Sequence, residues 1–158
     1  MTRYRPAFSW DKDPSGPGIQ AFLDSVVTER PLLNVCSGTT AWGDVRVDLY
    51  EPSDLQADWT KLPFARDSFG AVFADPPWNA AYKEQVAAYM REALRVASVA
   101  YLMAPWLYCS AWTEVTGVWY REFPGIHVPV LLTRYQRPRQ LMLFEVAESP
   151  EPKASKDP

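Results

Sequence analysis

The sequence predicts an α/β protein with a mainly parallel sheet that is covered on both faces. Short apolar runs, such as PLLNV at 31–35 and AVFA at 71–74, have the length and composition of buried strands. Each run stops at a turn signal, and the strongest helical pattern, residues 80–97, lies between two of them. This alternation of strand and helix favours parallel strands with helices packed on the sheet.

The other elements are predicted around this central unit. An amphipathic helix is expected over residues 19–30, because Ile19, Phe22, Val26 and Val27 recur at helical spacing before Pro31. Strands are expected within the segments 31–38, 44–52, 55–64, 67–78 and 98–106.

The chain is expected to close with an antiparallel hairpin made of residues 128–135 and 139–147, around the turn RYQRPR. One domain would then span 1–147, with residues 1–17 as an N-terminal arm or loop. The polar, proline-rich residues 148–158 are predicted to be a disordered tail.

Composition narrows the class of protein. No apolar run approaches the ~20 residues that span a bilayer, and the N-terminus lacks the apolar core of a signal peptide, so we expect a cytoplasmic protein with no membrane partner. Cys36 and Cys109 do not form a disulfide framework, and with a single histidine no metal site is expected. A net charge of −3 means that any nucleic-acid surface must be local.

Three features at successive strand ends suggest a ligand site. Gly38 has no Cβ, so the backbone can approach a ligand closely. Asp48 is suited to accept hydrogen bonds from ribose hydroxyls, and Asp58 could accept a hydrogen bond from an adenine amino group. Taken singly, each has a plainer explanation as a turn glycine, a solvated carboxylate or a turn cap. Together they favour a site at the carboxyl edge of the sheet, where open α/β proteins bind ligands.

The order of these motifs, ending in ADPPW, resembles the class I S-adenosylmethionine-dependent methyltransferases over roughly residues 31–106. The pattern LPFxxxSFxxV, which precedes the fourth strand, is also common in that family. Asp-Pro-Pro-Trp is similar to the catalytic tetrapeptide of members that methylate exocyclic amines, especially that of adenine. The resemblance implies a Rossmann-like, doubly wound sheet whose sixth strand runs parallel to the fifth, and S-adenosyl-L-methionine as methyl donor. It assigns donor binding to Cys36, Ser37, Gly38, Asp48 and Asp58.

The resemblance also assigns roles to the tetrapeptide, Asp75, Pro76, Pro77 and Trp78. The Asp75 carboxylate and the Pro76 carbonyl would accept the amine hydrogens, and the prolines would hold both acceptors in place. Trp78 would stack an extracted base, a contact worth ~1–3 kcal/mol. The structural alternative is that Asp75 caps the following helix and Trp78 belongs to the core.

The chain departs from the family pattern in its first motif. Asn34 stands at the usual acidic position, and CSGTTAWGD carries only Gly38 and Gly43. Few residues separate the first two strands, so the usual first helix is expected to be absent and Trp42 or the N-terminal segment would cover the donor.

A local basic segment, TRYQRPRQ, is the candidate nucleic-acid surface. Arg134, Tyr135, Arg137 and Arg139 combine guanidinium groups for phosphates with a ring for stacking. It is predicted to be the turn after the sixth strand, on the same edge as the tetrapeptide. The alternative is a solvated hairpin tip.

The sequence therefore predicts a minimal methyltransferase for an exocyclic amine, with adenine N6 in DNA as the favoured acceptor. Alternatives are an RNA base, a glutamine amide, a catalytically silent nucleic-acid-binding subunit, or a nucleotide-binding α/β domain of unrelated activity. Because the chain has no room for a separate recognition domain, a homodimer or a partner subunit is a further expectation that no individual residue decides.

Overall fold

In the part of the chain that the structure describes, a mixed sheet has one helix packed against each face. The computed structural model describes residues 19–109, 113–123 and 126–137. Its helices are α1 (Ile19–Val26) and α2 (Ala80–Val96), and its strands are β1 (Leu32–Val35), β2 (Val45–Asp48), β3 (Leu55–Gln56), β4 (Phe69–Ala74), β5 (Ala97–Ala104), β6 (Thr113–Phe123) and β7 (Ile126–Gln136). The predicted N-terminal arm, the predicted tail and Arg139 lie outside the described residues.

The strand order is β3-β2-β1-β4-β5-β7-β6. Strands β1 to β5 run parallel to one another, whereas β7 is antiparallel to both β5 and β6. The prediction of an α/β protein with a mainly parallel sheet and a terminal antiparallel hairpin is confirmed. The chain moves outward from β1 in two directions, so the topological switch point lies between β1 and β4. Val35 is in register with both Val47 and Ala74, which aligns the carboxyl ends of these strands.

Each face of the sheet buries its own core. Helix α2 places its apolar residues at helical spacing on one face, and strand residues complete this α2-side core: Leu33, Val35, Val47, Trp59, Val72, Ala74, Val86, Tyr89, Met90, Ala93 and Val96. The opposite α1-side core contains Ile19, Leu23, Leu32, Trp42, Phe73, Tyr101 and Leu132. Full burial of one leucine, as at Leu23, contributes about 2 kcal/mol.

The connection between β1 and β2, residues 36–44, contains no helix, as predicted. Trp42 occupies this part of the α1-side core instead. Its ring meets Phe73 edge to face with centroids 4.9 Å apart, and its Nε1 donates to Asp24 Oδ1 at 2.7 Å. One large aromatic side chain and helix α1 thus cover the face of the sheet beside this connection.

The predicted position of the hairpin is wrong. The hairpin consists of β6 and β7, so residues 134–136 lie inside a strand and not at a tip. They pair with residues 99–101 at the start of β5. The physical reason is that this basic segment alternates inward and outward side chains, with Tyr135 buried and Gln136 exposed. The sequence does contain another turn signal, Pro124-Gly125, which lies between the residues of β6 and those of β7.

Candidate functional site

The tetrapeptide lies between the end of β4 and the start of α2. Asn79 is the N-cap of this helix: its Oδ1 accepts a hydrogen bond from the backbone N–H of Tyr82 at 3.2 Å. The Asn79 N–H donates to the Pro77 carbonyl at 2.9 Å, which closes the turn. Because Asn79 caps the helix, the capping explanation for Asp75 does not hold.

The members of the tetrapeptide differ in burial. Pro76 is buried, while Asp75 and Trp78 are partly exposed. Trp78 packs against the α1-side core, so its ring is partly a structural element. The turn is thus anchored in the core, and Asp75 and Trp78 keep partial exposure at the carboxyl edge of the sheet.

Asp48, the last residue of β2, organises the backbone around it. Its Oδ2 accepts the Gly38 N–H at 2.8 Å. Its Oδ1 accepts the N–H groups of Tyr50 and Glu51 at 2.8 and 2.9 Å. The carboxylate therefore links the loop after β1 to the loop after β2, and Oδ2 keeps one lone pair for a further donor.

The loop after β1 turns through two left-handed residues. Cys36 has φ +54° and Gly38 has φ +55°. Between them, the buried Ser37 donates its backbone N–H to the Val47 carbonyl at 3.2 Å. A Cβ at position 38 would meet no atom within 4 Å, so this side of the loop is open space. The backbone here is therefore open to close approach from this side.

Asp58 lies two residues beyond β3. Its Oδ1 accepts both the backbone N–H and the hydroxyl of Thr60, at 2.8 and 2.7 Å. Among the described residues none donates to Oδ2. One oxygen of this carboxylate thus stabilises a turn, and the other is available to a ligand.

Four predicted site residues converge at this edge and form the strand-end cluster: Cys36, Asp48, Asp58 and Asp75. Burial raises the pKa of the Cys36 thiol well above its ordinary value. The carboxylates of Asp48, Asp75 and Asp58, in that order, raise this pKa further. The thiol therefore stays protonated at neutral pH, and the cluster carries negative potential that favours a cationic ligand.

Two residues at this edge were not predicted as site residues. Tyr82 and Trp106 pack against the same α2-side core as Cys36. The Nε1 of Trp106 is buried and finds no hydrogen-bond acceptor among the described residues. A sequence signal for Trp106 exists, because Pro-Trp follows β5 as it follows β4. Tyr82 has no comparable signal, since its spacing is that of a core residue of the helix.

The basic segment lies at the opposite edge of the sheet. Tyr135 is 1% exposed and pairs with Ala100 near the start of β5, so its ring offers no stacking face. Arg134 pairs with Glu29 at 3.3 Å, and Arg137 pairs with Asp67. These described members of the segment are thus held by internal contacts and are not brought together with the tetrapeptide.

Comparison with models of known protein families and with curated proteins gave no match. No helix within the described ranges has the length and apolar character needed to cross a membrane. Over the same residues, no group of three or more His, Cys, Asp or Glu side chains has the arrangement of a metal site. Inferences about function therefore depend on the fold and on the geometry of the strand ends.

Proposed function

We propose that the protein is an S-adenosyl-L-methionine-dependent methyltransferase that modifies an exocyclic amino group, with adenine N6 in DNA as its acceptor. The observation that carries this proposal is the position of Asp75-Pro76-Pro77-Trp78. The tetrapeptide follows β4 directly at the topological switch point, beside carboxylates from two other strand ends.

The sheet supports a Rossmann-like class I methyltransferase fold. Strands β5 and β6 are each antiparallel to β7, so they run parallel to one another, as strands five and six do in the family that the sequence resembles. The strand that enters TRYQRPRQ was expected to be this sixth strand, but it is β7 and runs antiparallel to β5. Helices α1 and α2 contribute to cores on opposite faces, which is the doubly wound arrangement.

The chemistry of the strand ends fits this methyl donor better than a phosphate-bearing nucleotide. Dinucleotide sites hold pyrophosphate at the N-terminus of a helix that follows the first strand. Here residues 36–44 contain no helix, and Asp48 and Asp58 bring negative charge to the same place. S-adenosyl-L-methionine carries a sulfonium cation and no phosphate, so the cluster would attract it. This argues against a nucleotide-binding domain of unrelated activity.

Specific atoms would hold the nucleoside part of the donor. The remaining lone pair of Asp48 Oδ2 can accept a ribose hydroxyl, since Gly38 occupies only one position on that oxygen. Asp58 Oδ2 can accept from an adenine amino group. Ser37 and Gly38 lie in a sharp turn, and no atom lies within 4 Å of the place a Cβ at Gly38 would take. The methionine part of the donor can lie against this stretch of backbone.

When bound, S-adenosyl-L-methionine supplies an electrophilic methyl group, and the protein must make the amine nucleophilic. The Asp75 carboxylate and the Pro76 carbonyl accept the two amine hydrogens and so localise the nitrogen lone pair. Because both prolines have fixed φ, little ordering entropy is lost in reaching this geometry. The nitrogen gives up one proton to the Asp75 carboxylate, which is partly exposed and can return it to solvent. The accessible part of the Trp78 ring stacks on the base.

The proposal is tested by incubating the protein with S-adenosyl-L-methionine and either DNA or RNA, followed by digestion to nucleosides and mass spectrometry. Asp75→Ala is the test variant, and Asp67→Asn, at the opposite edge of the sheet, is the control. We expect N6-methyladenine in DNA from the wild type and from the control, and its loss in Asp75→Ala.

Each other outcome selects an alternative. A methylated nucleoside found only in RNA would show that the acceptor is RNA and not DNA, with the same methyl-transfer chemistry. Donor binding without any methylated nucleoside would point to a protein amide as the acceptor. No binding of the donor would overturn the proposal in favour of a silent subunit.

A further inference from the structure

Tyr82 connects the helix that follows the tetrapeptide to the ends of the first three strands. We infer that its hydroxyl donates a hydrogen bond to the nucleoside part of the methyl donor, and that Tyr82 is therefore a donor-binding residue. This inference rests on the proposed function and deepens it by assigning the donor site a residue from α2.

The backbone of Tyr82 is held at a defined place in the first turn of α2. Its N–H is the group that the Asn79 side chain caps, and the Asn79 N–H in turn bonds the Pro77 carbonyl. Two hydrogen bonds thus couple the position of Tyr82 to the tetrapeptide.

The ring of Tyr82 lies on a rigid aromatic support. Its centroid is 5.4 Å from that of Trp59, and Trp59 is stacked on Tyr89 at 4.7 Å with an interplanar angle of 16°. The Trp59 Nε1 donates to Gln85 Oε1 at 2.8 Å, so the indole is fixed to the same helix. One side of the Tyr82 ring thus lies against an indole that is itself held by α2.

The phenol end of Tyr82 lies among the predicted donor-binding residues. Tyr82, Cys36 and Ala57 all pack against the α2-side core, and Trp59, which the Tyr82 ring contacts, directly follows Asp58 in the chain. Burial is the main factor that raises the pKa of Tyr82 to about 12, and the nearby Cys36, Tyr50, Asp48 and Asp58 raise it further. The hydroxyl is thus protonated at neutral pH and able to donate.

The hydroxyl group has a chemical role that the carboxylates cannot fill. Asp48 and Asp58 only accept hydrogen bonds, so they can recognise the hydroxyls and the amino group of a nucleoside but not its acceptor atoms. Among the described residues none hydrogen-bonds to the Tyr82 hydroxyl. A neutral O–H beside two carboxylates is suited to an acceptor atom of the donor, such as an adenine ring nitrogen or the ribose oxygen.

The test variant is Tyr82→Phe, which removes the hydroxyl and keeps the ring against Trp59. Binding of S-adenosyl-L-methionine is measured by calorimetry on the full chain. We expect the Kd to rise about 3- to 10-fold, the loss typical of one neutral hydrogen bond. In methyl-transfer assays the KM for the donor should rise by a similar factor, with kcat unchanged at saturating donor.

The matched control is Tyr89→Phe. The Tyr89 hydroxyl is buried and donates to the Tyr101 carbonyl at 3.0 Å, so its removal should lower stability without changing the Kd. If Tyr82→Phe binds the donor as the wild type does, the assignment of Tyr82 is overturned while the proposed function stands. If the wild type itself does not bind the donor, the proposed function fails, and this inference fails with it.

Discussion

The Asp48 carboxylate accepts the backbone N–H of Gly38 at 2.8 Å and thereby ties the end of β2 to the loop that follows β1. The same carboxylate also accepts two N–H groups from the loop after β2. Asp48 thus has a structural role in addition to the ligand role proposed for it. The two roles share one side chain, so loss of the carboxylate should affect both.

We expect Asp48→Ala to lower the free energy of unfolding by about 2–3 kcal/mol, because three backbone donors lose their acceptor. The variant should also fail to bind the methyl donor. Urea unfolding at pH 7 measures the first effect. Asp54→Ala is the control and should cost less, since Asp54 pairs with Arg46 at the solvent-exposed surface. Equal losses in the two variants would contradict the structural role of Asp48.

Asn79→Ala should lower the free energy of unfolding by about 1 kcal/mol, because the N-cap of α2 loses its acceptor for the Tyr82 N–H. Asn79→Asp should keep the wild-type stability, since a carboxylate also caps and interacts favourably with the helix N-terminus. Thermal or urea unfolding of the two variants makes the comparison. Wild-type stability in Asn79→Ala would show that the helix does not depend on this cap.

The raised pKa of the Cys36 thiol predicts a pH dependence of stability. The unfolded thiol deprotonates near pH 9, whereas the folded thiol stays protonated. The contribution of the Cys36 thiol to the free energy of unfolding is therefore fully present below pH 9 and is lost as the pH rises above it. Relative to Cys36→Ser, the wild type should lose up to ~1.4 kcal/mol per pH unit above pH 9.

Guanidinium unfolding at pH 7.5 and at pH 10.5 measures this difference. Cys109 is exposed and is present in both proteins, so it does not contribute to the difference between them. Parallel stability curves for the wild type and Cys36→Ser would be inconsistent with burial of this thiol beside the three carboxylates.

Gly70→Ala should destabilise the protein by about 2–3 kcal/mol, because a Cβ there would lie 2.5 Å from the Arg30 carbonyl oxygen. That oxygen belongs to the backbone and cannot rotate away. Gly38→Ala provides the contrast: its Cβ meets nothing within 4 Å, so only the left-handed φ costs about 1 kcal/mol. Denaturant unfolding should rank the two variants in this order, and the reverse order would argue against the close contact at Gly70.

Arg137→Ala should leave affinity for DNA unchanged, because Arg137 is paired with Asp67 and bonded to the Leu94 carbonyl at the far edge of the sheet. Its loss should cost no more than about 1 kcal/mol of stability. Fluorescence anisotropy with a labelled duplex over a range of salt concentrations measures the binding. A salt slope reduced by about one unit would instead identify Arg137 as a phosphate contact.

The parts of the fold that the sequence predicted correctly are those with strong local patterns. Helix α2 has its apolar residues at helical spacing, and β4 is an apolar run stopped by two prolines. The convergence of Cys36, Asp48 and Asp75 followed from one rule, since parallel strands bring their carboxyl ends to one edge. The convergence of these residues at one edge could therefore be predicted without knowing the tertiary contacts.

Other features depend on tertiary contacts that no local pattern encodes. Arg134 and Tyr135 lie in a segment with the composition of a turn, yet pairing with β5 makes it a strand. Tyr82 has the spacing of a core residue, and its ring does pack against the core. Only the surroundings of its hydroxyl, which come from three other strand ends, indicate a second role.

The short connection between β1 and β2 has a consequence for the order in which the sheet assembles. Pairing β1 with β2 closes only residues 36–44, whereas pairing β1 with β4 closes residues 36–68. The entropy lost in closing the shorter loop is smaller by about 1 kcal/mol. Contacts between segments close in the chain form earliest in folding. Of these two pairings, the β1–β2 pair, which carries Cys36 and Asp48, is therefore expected to form before β4 docks against β1.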